Sequence, residues 1–260
     1  MKLKDRLAFI TGGGRGIGSA IAAAFAREGA GVAVAARTQE QVDSVARAIE
    51  YEHRVPALGV VCDVSNQESV TQAFAAVNSK FGRAADILVN NAGIAVSAPL
   101  LKTDDELWQR HLATNLSGTF YCSRAALPSM LELGWGRIIN IASIAGKTGA
   151  PYITAYSASK HGVLGLTRSL AHEVATRGIT VNAICPGYVD TDMVSRGVEN
   201  ITARTGKSAE ESIEVLKAMS PQHRLVTSEE VAAVALLLAS EEGRGITGQA
   251  INVDGGTLMF

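Results

Sequence analysis

The chain has few of the residues that build disulfide frameworks or metal sites. Its three cysteines, Cys62, Cys122 and Cys185, are far apart and show no paired spacing. We therefore expect them to be buried apolar residues rather than disulfides or zinc ligands. The five histidines include no pair with the spacing of metal ligands. A catalytic metal is not expected.

The chain also lacks a large charge of either sign and a long apolar run. It has 24 basic and 25 acidic residues, a formal net charge of −1. That balance offers no basic field for nucleic acid and no polybasic patch for a membrane surface. No run of eighteen apolar residues occurs, and the five-residue apolar stretch before the first glycines is too short for a signal-peptide core. We expect a cytoplasmic protein that acts on a small molecule.

Short apolar segments alternate with helical patterns along all 260 residues. This alternation, with no linker or internal repeat, predicts one α/β domain. Its fold would be Rossmann-like, a doubly wound parallel seven-stranded sheet with helices on both faces. Predicted strands are 7–11, 32–36, 55–62, 87–90, 137–142, 179–185 and 250–253, and helices follow the first strand and lie at 38–51, 66–81, 105–133, 152–175 and 228–239.

A glycine-rich turn follows the first predicted strand. Its sequence is Gly12-Gly13-Gly14-Arg15-Gly16-Ile17-Gly18, and a helical pattern comes directly after it. Glycines allow close backbone approach, and amides at a helix N-terminus attract pyrophosphate. The order of strand, glycine turn and helix therefore predicts a dinucleotide site. The alternative is a simple reversal of the chain.

The end of the second predicted strand bears on which dinucleotide binds. NAD-selective sites carry an acidic residue there, which binds the ribose 2′-hydroxyl. This chain has Ala36 followed by Arg37. Arg37 and Arg15 together could grip a 2′-phosphate, which favours NADP(H) and leaves NAD(H) possible. Alternatively, Arg37 is a solvated residue that opens the next helix.

A tyrosine and a lysine four residues apart form the second chemical motif. On a helix through 152–175, Tyr156 and Lys160 would project from the same face. A nearby ammonium group favours the phenolate, so we expect Lys160 to lower the pKa of Tyr156. Ser143, at the end of a predicted strand, could hydrogen-bond the oxygen that Tyr156 protonates. The three suit proton transfer to an alcohol oxygen, although the Tyr–Lys spacing alone also fits an ordinary exposed helix face.

The stretch 190–227 interrupts the alternating pattern. It is polar, has mixed charge and contains only weak helical segments. Long insertions of this kind often close over binding sites. We predict a substrate lid at about 190–227, the alternative being a solvated surface excursion.

Taken in order, the motifs resemble those of the short-chain dehydrogenase/reductase family. The family's TGxxxGxG stands at 11–18, its NNAG at 90–93, its helix asparagine at Asn115, its serine at Ser143, its YxxxK at 156–160 and its Pro-Gly at 186–187. The match covers essentially the whole chain, which is thus identified as a member.

The resemblance implies a role for each matching residue. Tyr156 would be the general acid/base, Lys160 would lower its pKa and hold the nicotinamide ribose, and Ser143 would position the substrate oxygen. Asn115 would hold a water that links Lys160 to solvent. Cofactor binding is implied for Gly12, Gly14, Arg15, Gly16, Ile17, Gly18, Arg37, Asp63, Val64, Asn90, Ala92, Gly93, Tyr156, Lys160, Pro186, Gly187, Val189 and Thr191, and substrate contact for Ile94, Val96, Ser143, Ile144, Tyr152, Tyr188 and Met193.

Within the family, the sequence is similar to two groups. The stretch 156–163 and Ala36-Arg37 look like NADPH-dependent 3-oxoacyl and polyketide ketoreductases, whereas the stretch from Met193 to Thr227 looks like NAD-dependent 3-hydroxybutyrate dehydrogenases. The expected function is NADP(H)-preferring interconversion of a ketone and a secondary alcohol, with a 3-oxoacyl thioester as the best substrate class. The alternatives are an NAD-linked dehydrogenase of a hydroxy acid or simple alcohol and, more distantly, a non-catalytic nucleotide-sensing protein.

The resemblance also bears on partners. Carrier-protein reductases usually have basic residues where this chain has Glu132-Leu133-Gly134-Trp135. The difference favours coenzyme A thioesters or free substrates over an acidic carrier protein. Family members commonly form tetramers through the helices that match 105–133 and 152–175, so a homotetramer is expected.

Overall fold

The computed structural model describes residues 1–192, 194–195, 197–198, 202, 206 and 208–260. One sheet of seven parallel strands has the order β3-β2-β1-β4-β5-β6-β7. The strands are β1 (Leu7–Thr11), β2 (Gly31–Ala36), β3 (Ala57–Val61), β4 (Ile87–Asn90), β5 (Gly136–Ile141), β6 (Ile179–Pro186) and β7 (Ala250–Val253). The predicted sheet is confirmed.

Helices cover both faces of the sheet. The described α-helices are α1 (Gly16–Arg27), α2 (Gln39–His53), α3 (Gln67–Phe81), α4 (Asp105–His111), α5 (Gly118–Leu133), α6 (Thr154–Val174), α7 (Ala209–Ala218) and α8 (Ser228–Ala239). Short 3₁₀ turns lie at Leu100–Lys102, Ile144–Gly146 and Glu241–Gly243. In the part of the chain that the structure describes, no helix is long and apolar enough to cross a bilayer.

The strands are apolar because both faces of the sheet are covered. All residues of β1, β5 and β6 are buried, as expected for a parallel sheet between two helical layers. Ile21 of α1 and Val231 of α8 belong to the core on one face. Phe74 of α3 and Met130 of α5 belong to the core on the other face.

The predicted helix at 105–133 is wrong in one respect. A π-helical segment, Leu112–Ser117, separates α4 from α5. Such wider turns are frequent at functional sites. The segment contains Asn115, whose side chain is buried and hydrogen-bonded outside the helix. Periodicity did not reveal it because one inserted residue changes the pattern too little.

The strand order reverses between β1 and β4, and this places a crevice at the carboxyl ends of both strands. After β1 the chain builds outward through β2 and β3, then returns to β4 on the other side of β1. Ligands of open parallel sheets bind at such a reversal, because the loops leaving the two strands diverge there. The glycine turn leaves β1 at this point, and residues 91–99 leave β4.

Close backbone packing at the opposite end of the sheet predicts that replacing glycine by alanine at two positions changes the stability of the protein to different extents. Gly178 has a φ of +70°, and a Cβ there would lie 2.2 Å from the carbonyl oxygen of Gly134. Gly178→Ala should therefore lower the free energy of unfolding by about 1–3 kcal/mol, measured by urea denaturation. Gly245→Ala is the control, since a Cβ there meets no atom within 4 Å. Equal stability of the two variants would contradict this account of the turn.

Candidate active site

The glycine turn has a backbone that only glycine accommodates. Gly12 and Gly16 have φ of +63° and +54°, values that other residues rarely adopt. The Asn91 Nδ2 atom donates to the carbonyl oxygens of Thr11 and Gly12, both at 3.0 Å. A Cβ at Gly12 would lie 2.7 Å from that nitrogen, and one at Gly18 would lie 2.3 Å from the Gly12 carbonyl oxygen. The turn opens onto the N-terminus of α1, which suits a pyrophosphate. The residues present therefore fit a dinucleotide.

The two arginines predicted to bind a 2′-phosphate lie at this end of the sheet. Arg37 is exposed and directly follows β2. Arg15 precedes α1, and its Nη1 lies 3.3 Å from the Asp192 carboxylate; both side chains are more than half exposed. A phosphate at this place would thus compete with Asp192 for Arg15.

Two predicted cofactor residues, Val64 and Asn90, have buried side chains, and a third, Asp63, is partly buried. The Asp63 carboxylate accepts hydrogen bonds from the Ser65 amide at 3.0 Å and the Ser65 hydroxyl at 2.6 Å. Val64 belongs to the core on the α3 and α5 face. The Asn90 side chain donates to Ser123 at 3.1 Å and to Asn140 at 2.9 Å, and its Oδ1 is buried without a hydrogen-bond partner. The side chains of Val64 and Asn90 serve the fold, which leaves their backbones for any cofactor contact, and the Asp63 carboxylate stays a predicted cofactor contact.

The end of β6 approaches the glycine turn from the other side. Pro186 ends the strand, and the Gly187 amide donates to the Val253 carbonyl at 3.0 Å. Val189 forms a single parallel bridge with Val226, which joins the two ends of the stretch 190–225. Thr191 lies over the turn, with its Cγ2 3.3 Å from where a Gly16 Cβ would stand. These predicted cofactor residues therefore surround the same crevice.

Asn115 connects the π-helical segment to the loop that leaves β4. Its Oδ1 accepts from the Ile94 amide at 2.8 Å, and its Nδ2 donates to the Ile94 carbonyl at 3.0 Å and to Ser159 at 2.9 Å. A Cβ at Gly93 would lie 3.2 Å from Asn115 Oδ1 and 3.7 Å from the Lys160 ammonium. Asn115, Gly93 and Lys160 thus meet in one place.

Ser143, Tyr156 and Lys160 come together where β5 faces α6. Ser143 immediately precedes the 3₁₀ turn after β5, and its Oγ accepts from the Ala145 amide at 3.1 Å. Lys160 is buried, donates to the Ile141 carbonyl at 2.8 Å and stands 5.8 Å from the centre of the Tyr156 ring. The cluster holds a hydroxyl, a phenol and an ammonium at one end of the sheet.

Burial dominates the acid–base properties of this cluster. It raises the pKa of Tyr156, and the hydrogen bond with Ser143 opposes that shift. Burial also lowers the pKa of Lys160 from its usual 10.5 to about 8. The direction for Tyr156 is opposite to the lowering expected from Lys160. The reason is that Lys160 is directed at the Ile141 carbonyl, whereas the phenolate would lose much of its solvation.

Of the predicted substrate residues, Ser143 and Tyr188 interact with Tyr156. Ile144 directly follows Ser143, and the presence of Tyr188 nearby contributes to the raised pKa of Tyr156. The Ala98 amide donates to the Tyr152 carbonyl at 2.8 Å, which brings the loop of residues 94–98 beside the start of α6. That loop includes Ile94 and Val96, and Met193 lies outside the described residues.

Sequence reasoning missed two groups that build the site. The Thr11 hydroxyl accepts from the Asn91 and Ala92 amides at 3.0 and 3.1 Å, so it ties the glycine turn to the end of β4. Thr11 and Asn91 both stand inside the motifs quoted above, which was the available signal. His111 is fully buried, and its ring meets the Tyr156 ring edge-on at 6.4 Å. A lone histidine in a helical pattern gave no signal.

The glycine turn lies where the strand order of the parallel sheet reverses, at the same end of the sheet as a serine, a tyrosine and a lysine. Together these features define a class of protein. That class is the dinucleotide-dependent oxidoreductases, which move a hydride and a proton between a cofactor and a carbonyl or alcohol. Comparisons with known proteins specify the family.

The model of a protein family described as Enoyl-(Acyl carrier protein) reductase matches residues 12–257. The D-beta-hydroxybutyrate dehydrogenase of Rhizobium meliloti is 39% identical over 254 residues, which are 96% of this chain and 98% of that protein. A 3-oxoacyl-(acyl-carrier-protein) reductase of Synechocystis is 40% identical over 260 residues, 99% of each chain. The crystal structure of a variant of actinorhodin polyketide ketoreductase with NADPH has a TM-score of 0.93 and 40% identity over 97% of each chain.

The chain belongs to the short-chain dehydrogenase/reductase family. It is an oxidoreductase that acts on ketone and hydroxyl groups with a nicotinamide cofactor.

The buried ammonium of Lys160 predicts a pH dependence of stability. Between pH 8 and 10 the folded protein loses the Lys160 proton, whereas the unfolded chain still holds it, so stability rises with pH. Lys160→Met removes this contribution. The stability of the wild type relative to this variant should therefore increase by about 2 kcal/mol over that interval, measured by urea unfolding without nucleotide. Lys80→Met, at an exposed site on α3, is the control. A difference that stays constant with pH would contradict the assignment.

Proposed function

We propose that the protein is an NADP(H)-preferring reductase of a 3-oxoacyl thioester of the acetoacetyl type. The observation that carries the proposal is that Ser143, Tyr156 and Lys160 lie close together, at the same end of the sheet as the glycine turn. The names of the similar proteins support the substrate class, since they include a 3-oxoacyl reductase, a polyketide ketoreductase and a beta-hydroxybutyrate dehydrogenase. The names of two of these proteins place the oxygen at the same carbon of an acyl chain, as a 3-oxo or a beta-hydroxy group.

In the proposed reaction, the ketone oxygen would accept hydrogen bonds from the hydroxyls of Ser143 and Tyr156, and Tyr156 would deliver the proton. A nicotinamide dinucleotide on the glycine turn would supply the hydride to the carbonyl carbon. Burial makes the Tyr156 phenolate costly, so a nearby cation is needed to stabilise it. Lys160, 5.8 Å from the ring centre, would be that cation. Asn115 would keep the Lys160 side of the cleft in place through its bonds to Ile94.

Exposed apolar and acidic residues support a thioester substrate outside a carrier protein. Val96 and Tyr152 are 40% and 59% exposed beside the cleft, which suits an acyl chain. Glu132 and Leu133 are exposed at the end of α5, where carrier-protein reductases usually have basic residues. These residues favour a coenzyme A thioester or a free substrate.

The preference for NADP(H) is supported by Arg15 and Arg37 at the end of the sheet that holds the glycine turn. The ion pair of Arg15 with Asp192 is exposed, and such pairs contribute at most about 1 kcal/mol. A 2′-phosphate can therefore displace Asp192 at low cost. The alternative, an NAD-linked dehydrogenase of a hydroxy acid, is supported by the likeness to the Rhizobium enzyme.

The stretch 190–227 remains our proposal for a substrate lid. Part of this stretch lies outside the described residues, and the bridge between Val189 and Val226 joins its two ends next to Tyr188, which supports a place beside the cleft. We also propose a homotetramer formed through the helices within 105–133, which are α4 and α5, and through α6. Sedimentation at micromolar concentration would reveal a monomer if this assembly does not form.

The proposed reaction predicts reduction of acetoacetyl-CoA with NADPH. Tyr156→Phe should lower kcat by about a hundredfold to ten-thousandfold, because the proton donor is lost. Initial rates at 340 nm would measure this, with Tyr51→Phe, at a residue 83% exposed on α2, as the control. Full activity in Tyr156→Phe would rule out the assigned role. Absence of turnover with every ketone and secondary alcohol tested would favour the nucleotide-sensing alternative.

The cofactor proposal predicts a selective effect of Arg37. Arg37→Ala should raise the KM for NADPH about tenfold to a hundredfold, the loss expected for a charged hydrogen bond, and leave the KM for NADH almost unchanged. Arg47→Ala, at an exposed position on α2, is the matched control. Higher wild-type efficiency with NADH than with NADPH would favour the hydroxy-acid dehydrogenase instead.

A further inference from the structure

The last residue of α4 is a histidine that the proposed reaction does not use. His111 has no exposed surface, and the π-helical segment Leu112–Ser117 begins at the next residue. Its ring meets the Tyr156 ring edge-on, with 6.4 Å between the ring centres. The histidine therefore lies directly behind the proposed proton donor.

Both ring nitrogens of His111 are hydrogen-bonded to backbone groups. Nδ1 is 2.9 Å from the Leu107 carbonyl, and Nε2 is 3.1 Å from the Val96 amide. A carbonyl can only accept, so Nδ1 carries the hydrogen, and Nε2 is the acceptor for the Val96 N–H. The ring is therefore neutral in this arrangement and has no nitrogen left for a substrate. Its role has to be geometric.

The loop that His111 holds has no secondary structure of its own. We name residues 94–98 the wall loop; they follow β4, and His111 links them to the Tyr156 ring, which it meets edge-on. Asn115 holds Ile94 through two hydrogen bonds, His111 holds Val96, and the Tyr152 carbonyl holds Ala98. Alternate residues of the wall loop are thus tied to α4, the π-helical segment and the start of α6.

His111 provides the central of these three attachments. It stands four residues before Asn115, so the end of α4 and the π-helical segment present both side chains to the wall loop. Without an acceptor at His111, the Val96 amide would lose its hydrogen bond. The wall loop would then move relative to Tyr156, while the glycine turn on β1 would be unaffected.

We propose that His111 is a positioning residue that fixes the wall loop and thereby sets the affinity for the ketone substrate. The inference rests on the proposed function, because it takes the wall loop to be one side of the ketone site. It assigns to His111 an effect on substrate KM that is separate from nucleotide binding and from proton transfer by Tyr156.

The test compares His111→Leu, which cannot accept a hydrogen bond, with His111→Gln, whose amide oxygen can replace Nε2. In His111→Leu the KM for acetoacetyl-CoA should rise about tenfold, with the KM for NADPH unchanged within about twofold. His111→Gln should restore the KM to within about threefold of the wild type. His53→Leu, near the end of α2, is the matched control and should leave both KM values unchanged.

A second measurement does not depend on the substrate. Hydrogen exchange of the Val96 amide, followed by NMR in the protein without nucleotide, should be about tenfold faster in His111→Leu than in the wild type or His111→Gln. If the leucine variant does not fold, His111→Gln decides alone: wild-type exchange with a near-normal KM supports the proposal, and a tenfold rise in KM overturns it.

The failure of the two proposals can be told apart. If the wild type does not reduce acetoacetyl-CoA, the proposed substrate is wrong, and the same KM comparison uses the ketone or alcohol that the wild type does convert. The His111 proposal is overturned if the leucine variant keeps the wild-type substrate KM. It is also overturned if that variant raises the KM for NADPH equally, or if the Val96 amide exchanges at the wild-type rate.

Discussion

The contact between the ends of β1 and β4 is the constraint on which the site depends. Asn91 bonds to the Thr11 and Gly12 carbonyls, and the Thr11 hydroxyl accepts from the Asn91 and Ala92 amides. These bonds hold the glycine turn against the first residues after β4. Because the strand order reverses here, the two connections diverge and leave a crevice. The glycine turn on one side of the crevice and the wall loop on the other side both depend on this junction.

Around the crevice, polar side chains are buried, which costs free energy of solvation. Lys160 and Asn115 are buried. Burial lowers the pKa of Lys160 and raises the pKa of Tyr156, so it favours the neutral form of both side chains. Buried polar groups persist when they are hydrogen-bonded. Lys160 has the Ile141 carbonyl, and Asn115 has Ile94 and Ser159. The same low solvation that destabilises a phenolate also strengthens its attraction to a cation. This balance suits reversible proton transfer.

Much of the architecture could be predicted from the sequence. The apolar runs in β1, β5 and β6 are buried on both faces. The glycine turn follows the first strand and precedes a helix, which is the order that a dinucleotide-binding motif requires. The three side chains after β5 that we propose as catalytic were visible as Ser143 and the Tyr156–Lys160 spacing. The π-helical segment was not visible, because hydrophobic periodicity averages over several turns. The direction of the Tyr156 pKa was also mispredicted, since a spacing argument counts the cation and leaves out desolvation.

The sequence by itself determined the order of the strands and helices, the glycine turn and the family, because each of these depends on local patterns along the chain. Only the tertiary structure decided where side chains from distant segments meet. It turned Asn90 toward Ser123 and Asn140, directed Lys160 at Ile141 and placed His111 between Val96 and Tyr156. Such contacts join residues up to fifty positions apart. They depend on packing in three dimensions, which local residue patterns do not encode.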